Sequence, residues 1–200
     1  MESVLDRVIK QNTENVNLLK TKDYNIFSVL QIQSKEVLIC RMIADLLNPR
    51  GQHGAGAEYL KIFLRDCLGM EKMDTKLADQ AIVTAEYAID DERRIDIVIE
   101  IGSYFLPIEV KIYAADQKSQ CFDYYQYAKR RDAQAKVYYL TLDGHRPGKD
   151  STSSGSQSVP EEDIVCLSFR EHILNWLKAC KSCENTGMVP ILEQFIRNIE

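Results

Sequence analysis

The stretch Arg94–Ile112 constrains this chain more than any other. Its side chains alternate with a period of two on both sides of a Gly-Ser step: RIDIVIEI, then GS, then YFLPIEVKI. Gly102-Ser103 suits a two-residue type II′ hairpin turn, which wants glycine at its first central position. That turn predicts a register in which facing residues have numbers summing to 205, so that 101 faces 104, 99 faces 106, 97 faces 108 and 96 faces 109. One predicted face is uniformly apolar, with Ile95, Ile97, Ile99 and Ile101 against Tyr104, Leu106, Ile108, Val110 and Ile112, and is expected to pack on the core. The other carries Arg94, Asp96, Val98 and Glu100 against Phe105, Pro107, Glu109 and Lys111, so Asp96 and Glu109 stand opposite each other. Like charges opposed across a ladder are destabilising. A divalent cation between them removes the repulsion, and oxygen donors beside a lysine suit Mg²⁺ or Mn²⁺. The plainer alternative is a solvated polar face on which Lys111 and Arg94 neutralise the acids. Pro107 has no N–H, so its strand is expected to be at an edge there, or bulged, and a bulge shifts the register.

The remaining elements frame this hairpin. Residues 2–20 read as a weakly amphipathic helix. A better one spans 34–47, with Ser34 as N-cap and Val37, Leu38, Met42, Leu46 and Leu47 at helical spacing, stopped by Asn48-Pro49-Arg50-Gly51. Another runs over about 57–68. Strands are predicted at 81–89, 94–101, 104–112 and 137–142, from their short Val-, Ile- and Tyr-rich runs. A helix over about 114–133 between the last two makes a parallel crossover. A polar Ser/Gly-rich segment, 143–163, is expected to be a mobile loop, and 164–169 a last strand before helices at 170–182 and 188–199. The expected architecture is a single α/β domain over 1–200, with a mixed central sheet flanked by helices. Within it the helical N-terminal part covers about 1–70 and the core about 34–142.

The hairpin signature resembles that of the PD-(D/E)XK nuclease superfamily: Ile95-Asp96, then Glu109-Val110-Lys111, with Ile where the motif name has Pro. The helix bearing Glu36, then Leu46-Leu47-Asn48-Pro49 and His53-Gly54, and later Gln120 with Tyr124, are similar to one bacterial branch of that superfamily. The resemblance implies a restriction-endonuclease-like αβββαβ core and a metal-dependent nuclease acting on DNA, in a restriction, mobile-element or defence setting. It implies Mg²⁺ or Mn²⁺ held by Asp96, Glu109 and the Val110 carbonyl, with Glu36 adding a carboxylate. Lys111 is expected to orient the attacking water or to stabilise developing charge, and Gln120 to face the site. A fold-retaining, non-catalytic nucleic-acid-binding or protein-interaction module is the alternative; a complete Asp96/Glu109/Lys111 set speaks for the enzyme.

Nucleic acid is not announced by composition. With 25 basic against 30 acidic residues the net charge is −5, so no overall positive field draws the chain to a polyanion. The local cations of the 115–136 helix, Lys129, Arg130 and Arg131, interleave with Tyr124, Tyr125 and Tyr127 and are candidate phosphate contacts, with Tyr124 a candidate to touch nucleic acid. The alternative packs those rings on the sheet and leaves the cations solvated. Gln117 competes with Gln120 for the helix-borne role. His53 reads as a turn or packing residue, Cys180-x-x-Cys183 as ordinary helix-end thiols, and Gly148-Lys149-Asp150 lacks the rest of a phosphate loop. Six scattered cysteines, no bilayer-length apolar run and a polar N-terminus predict a cytoplasmic protein with reduced thiols. Oligomeric state is not written in the residues, a homodimer being one compatible form. The final helical pattern is equally compatible with a longer protein.

Overall fold

The structure, a computed structural model, describes residues 24–32, 35–71, 73–183 and 186–200. The helix expected at 2–20 and the cap expected at Ser34 lie outside them. The elements, in chain order, are α1 (Ile26–Val29), α2 (Glu36–Leu47), α3 (Glu58–Asp66), α4 (Thr75–Ala78), β1 (Ile82–Ala88), β2 (Arg94–Ile101), β3 (Tyr104–Lys111), α5 (Gln120–Arg131), β4 (Val137–Thr141), α6 (Lys149–Thr152), β5 (Ile164–Ser168), α7 (Leu174–Lys181) and α8 (Val189–Ile199). The five strands form one mixed sheet in the order β1-β2-β3-β4-β5. The first two pairings are antiparallel, the last two parallel, and α5 provides the crossover from β3 to β4. This is the α/β restriction-endonuclease-like arrangement.

The β2–β3 hairpin has the predicted register, from Ile101↔Tyr104 to Ile97↔Ile108. Gly102 takes φ 57° while Ser103 keeps a negative φ, as glycine in the first position of a II′ turn allows. Pro107 is accommodated by pairing geometry. Counting from the turn, Val98↔Pro107 is a non-hydrogen-bonded pair, so the missing N–H points away from β2. On its other side β4 joins β3 only from Ile108 onward, so no ladder bond is lost and no bulge is needed.

Helices cover both faces. Ile97, Ile99, Ile101, Leu106, Ile108 and Val110 pack with α2, α3, α7 and α8 in the main core, where Trp176 stands edge-on to Phe63 and donates its indole N–H to the Tyr59 carbonyl at 2.8 Å. The face predicted as polar is also buried: Val98 and Phe105 lie beneath α5 with Cys121, Tyr124, Ala128, Val137 and Tyr139. Ile95 corrects the simple alternation, being fully buried in this second cluster. The β1–β2 ladder is interrupted beside it, passing from Ala85↔Ile97 to Tyr87↔Ile95 with Glu86 at φ 54° between.

The helices α1 and α8 are tied together. Phe27 stacks on Phe195, the Asn25 side-chain amide donates to the Gln194 carbonyl, and the Ile26 N–H donates to Gln194 Oε1, both at 2.8 Å. Segment 143–163 contains α6 and a small hairpin pairing Ser153–Ser154 with Gln157–Ser158, not only irregular backbone. It is anchored to the start of α5: Gly148 N–H donates to Asp116 and Ser119 N–H donates to the Asp150 carbonyl, both at 2.7 Å. Among the described residues no helix is long and apolar enough to cross a membrane.

The loop after α2 is closed by His53, whose Nε2 lies 2.9 Å from the Asn48 carbonyl, whose Nδ1 accepts from the Ala55 N–H and whose ring stacks on Tyr59. That closure leaves no room at Gly51, where a Cβ would lie 2.2 Å from the Asp45 carbonyl oxygen and 2.6 Å from the His53 ring. Gly51→Ala is therefore expected to destabilise the fold by about 1–3 kcal/mol, measured by urea unfolding followed through Trp176, the one tryptophan.

Candidate active site

The site lies where β2 and β3 part. Their ladder stops at Ile97↔Ile108, one pair short of Asp96 and Glu109. Beyond that point β2 stays with β1 as far as Ala88↔Arg94, and β3 stays with β4 as far as Lys111↔Thr141. In place of the next ladder bond, the Val110 N–H donates to Asp96 Oδ2 at 2.8 Å. This bond holds the Asp96 carboxylate beside the end of β3; the facing 96/109 ladder pair that the register predicts does not itself form.

Glu109 is 1% exposed, and its Oε1 lies 2.6 Å from Lys111 Nζ, two residues along the same face. Its Oε2 is buried with no hydrogen-bond donor. Burial, reinforced by the charge of Asp96, pushes the Glu109 carboxyl well above the ordinary glutamate range, against the pull of Lys111. Burial likewise raises Asp96, with the Val110 N–H and Lys111 opposing. Lys111 is disfavoured as a cation by its own burial, yet Glu109, Asp96 and Glu36 outweigh this and raise its pKa. The pair of carboxylates with one lysine carries a net negative charge in a buried place, and a proton shared between Asp96 and Glu109 relieves it.

Glu36, the first residue of α2, reaches the end of β3. Its Oε1 accepts the N–H groups of Ile112, Tyr113 and Ala114 at 2.6, 2.9 and 3.0 Å. Burial opposes its charge, but these donors hold its carboxyl below the ordinary value. Among the described residues no three His, Cys, Asp or Glu side chains converge as a ready-made metal cluster. Glu36 therefore fixes the strand end and lines the cleft with its remaining oxygen, while Asp96 and Glu109 form the pair.

Gln120 opens α5 and lines the same cleft of about 440 Å³, together with Gln117, Arg93, Arg94 and Tyr124. Gln120 is buried and donates to the Tyr124 hydroxyl at 3.1 Å, which in turn donates to the Arg94 carbonyl at 2.5 Å. Tyr124 is 1% exposed, so its ring has no free face for a base, against the expectation that it touches nucleic acid; its hydroxyl links Gln120 to the Arg94 carbonyl. Gln117 instead accepts from Arg93. Lys129, Arg130 and Arg131 are not brought to the cleft: they end α5, about 14 to 16 Å along the helix from Gln120. Lys129 pairs with Asp163 at 3.2 Å, and Arg131 with Glu100 at 3.3 Å and the Tyr127 hydroxyl at 2.8 Å. Arg130 is exposed, above the Tyr127 ring.

Sequence reasoning missed Arg93, which staples the β1–β2 turn to the start of α5 through Asp123, Gln117 and the Lys118 carbonyl. No local pattern signals it, because its partners come from the far side of the hairpin.

Two carboxylates, one orphaned buried oxygen and an adjacent main-chain carbonyl fit Mg²⁺ or Mn²⁺, which bind through one or two carboxylates and keep several waters. The chain matches, over residues 24–197, the family described as the PD-(D/E)XK nuclease superfamily. Comparison with curated proteins and with solved structures returns no match.

A raised carboxylate pKa favours the folded state at low pH and loses that contribution as pH rises from the ordinary glutamate value of 4.5 through the higher folded one. Metal-free wild type is expected to lose urea resistance with rising pH relative to Glu109→Gln. Added Mg²⁺ should restore more of it at higher pH, because binding displaces the proton. Parallel pH profiles for the two proteins contradict this.

Proposed function

The chain belongs to the PD-(D/E)XK nuclease superfamily, and on that premise we propose that it is a divalent-metal-dependent nuclease hydrolysing phosphodiester bonds in DNA. The observation that carries this reading is the buried, donorless Oε2 of Glu109 beside Asp96, with Lys111 bound to the other oxygen. A structural ion pair needs no second buried carboxylate, whereas a cation site does. Asp96, Glu109 and the Val110 carbonyl would hold Mg²⁺ or Mn²⁺, with the free oxygen of Glu36 available to its waters. When bound, the cation lowers the pKa of a water ligand and neutralises charge on the phosphate under attack.

The chain's own groups supply the rest. Lys111, almost buried and tethered by Glu109, presents its ammonium where a water must be oriented and where negative charge develops. Gln120 offers its amide to the same cleft, fixed by Tyr124. Lys129, Arg130 and Arg131 would meet only flanking phosphates. The non-catalytic alternative has no observation in its favour, since Asp96, Glu109 and Lys111 are all present and adjacent. The choice of DNA over RNA follows the resemblance.

Supercoiled plasmid and a labelled RNA, incubated with Mg²⁺ or Mn²⁺, test the reading. Wild type is expected to nick the plasmid, EDTA to abolish nicking, and Asp96→Ala, Glu109→Ala and Lys111→Ala each to lower the rate at least about 100-fold. Equal nicking by the variants overturns the site assignment, and cleavage of RNA alone overturns the choice of substrate.

A further inference from the structure

We infer that Arg94 is the phosphate-binding arm of the cleft, taking non-bridging oxygens of the substrate backbone beside the carboxylate pair; this rests on the nuclease reading and adds a residue to it. Arg94 lies two residues before Asp96 on β2 and lines the same cleft as Glu109, Lys111 and Gln120. Among the described residues its side chain makes no ion pair, hydrogen bond or ring contact, although Asp91, Glu92 and Asp96 line that cleft with it. The other cations nearby are committed. Arg93 has three partners at the start of α5, and Lys111 is bound to Glu109.

The main chain of Arg94 is fixed. It pairs with Ala88 across β1–β2, and its carbonyl accepts the Tyr124 hydroxyl. A guanidinium left free on an anchored strand position presents a planar fork of donors, the geometry that matches a phosphate bidentately. The acidic cleft makes such a group necessary. Once a cation is held by Asp96 and Glu109, the approaching phosphate still meets Glu36, Asp91 and Glu92, and Arg94 is the cleft cation not already spent on the protein itself.

Binding of a fluorescein-labelled DNA duplex in Mg²⁺, followed by anisotropy across a range of KCl, tests this in a Lys111→Ala background that prevents turnover. Arg94→Ala is expected to weaken binding about 10-fold or more and to reduce the slope of log K against log salt by about 0.9. Arg94→Lys should keep the slope and recover only part of the affinity. The control is Lys76→Ala, on α4 next to Leu77, which lies 3.6 Å from the Cβ position of Gly102 at the opposite end of the hairpin, more than about 20 Å from Arg94. It should change neither quantity.

Binding and slope unchanged in Arg94→Ala, an equal loss in Lys76→Ala, or no measurable binding by the parent overturns the proposal. In the wild-type background, Arg94→Ala should raise KM by more than it lowers kcat. Plasmid nicking with an indifferent Arg94 sinks this inference alone, and salt-sensitive binding through Arg94 without any nicking sinks the nuclease reading alone.

Discussion

The parting of β2 and β3 after Ile97↔Ile108 is the constraint on which the functional end of the molecule depends. Had the ladder run one pair further, Asp96 and Glu109 would face each other as cross-strand neighbours, with repulsion and nothing gained. Instead β3 continues along β4, and the side chain of Asp96 takes the Val110 N–H that a ladder partner would have taken. At the fork the Val110 N–H, which has no ladder partner, is satisfied by the Asp96 carboxylate. The distortion on the other side of Asp96, where Glu86 adopts φ 54°, falls at the same level of the sheet. Arg41 from α2 holds the Glu86 side chain there, at 2.6 Å.

Burying Asp96 and Glu109 with one lysine works against stability, and the surroundings are built to tolerate it. Glu36 ties down three consecutive N–H groups at the end of β3, Arg93 clamps the β1–β2 turn to α5, and Tyr124 links Gln120 to the main chain of Arg94. These contacts are all made between groups of the protein itself. Local cost at the carboxylates, offset by a satisfied polar frame, is the pattern expected of a site kept for its chemistry.

Much of this was legible in the residues. A glycine-led turn and strict alternation fix a hairpin register arithmetically, so the juxtaposition of Asp96 with Glu109 followed from Gly102-Ser103 alone. The α/β order was equally readable from strand-like and helical runs. The second covered face was not. The helix α5 is rich in Lys, Arg, Gln and Tyr, and its inward positions, Gln120, Cys121, Tyr124 and Ala128, do not look like a core-facing stripe. The reading that packs the α5 rings on the sheet holds for Tyr124, which is buried, rather than its candidacy as a nucleic-acid contact; Lys129–Arg131 are expected as phosphate contacts or solvated cations, whereas Asp163 and Glu100 engage two of the three. Arg93 and the ordered elements of 143–163 depend on partners distant in sequence, which no local pattern reports. The net charge of −5 is a bulk property; five of the acids, Glu36, Asp91, Glu92, Asp96 and Glu109, line one cleft, where a divalent cation, if held there as proposed, would offset their charge.

Anomalous scattering from a crystal soaked in Mn²⁺ tests the central claim most directly, because it reports fold, register and ligands together. The account predicts a peak in the fork, bonded to Asp96 and to the Glu109 oxygen that now lacks a donor, with Lys111 still beside the other. A fork that stays empty, with Lys111 placed between the two carboxylates, or a peak bound elsewhere on the chain, would contradict it.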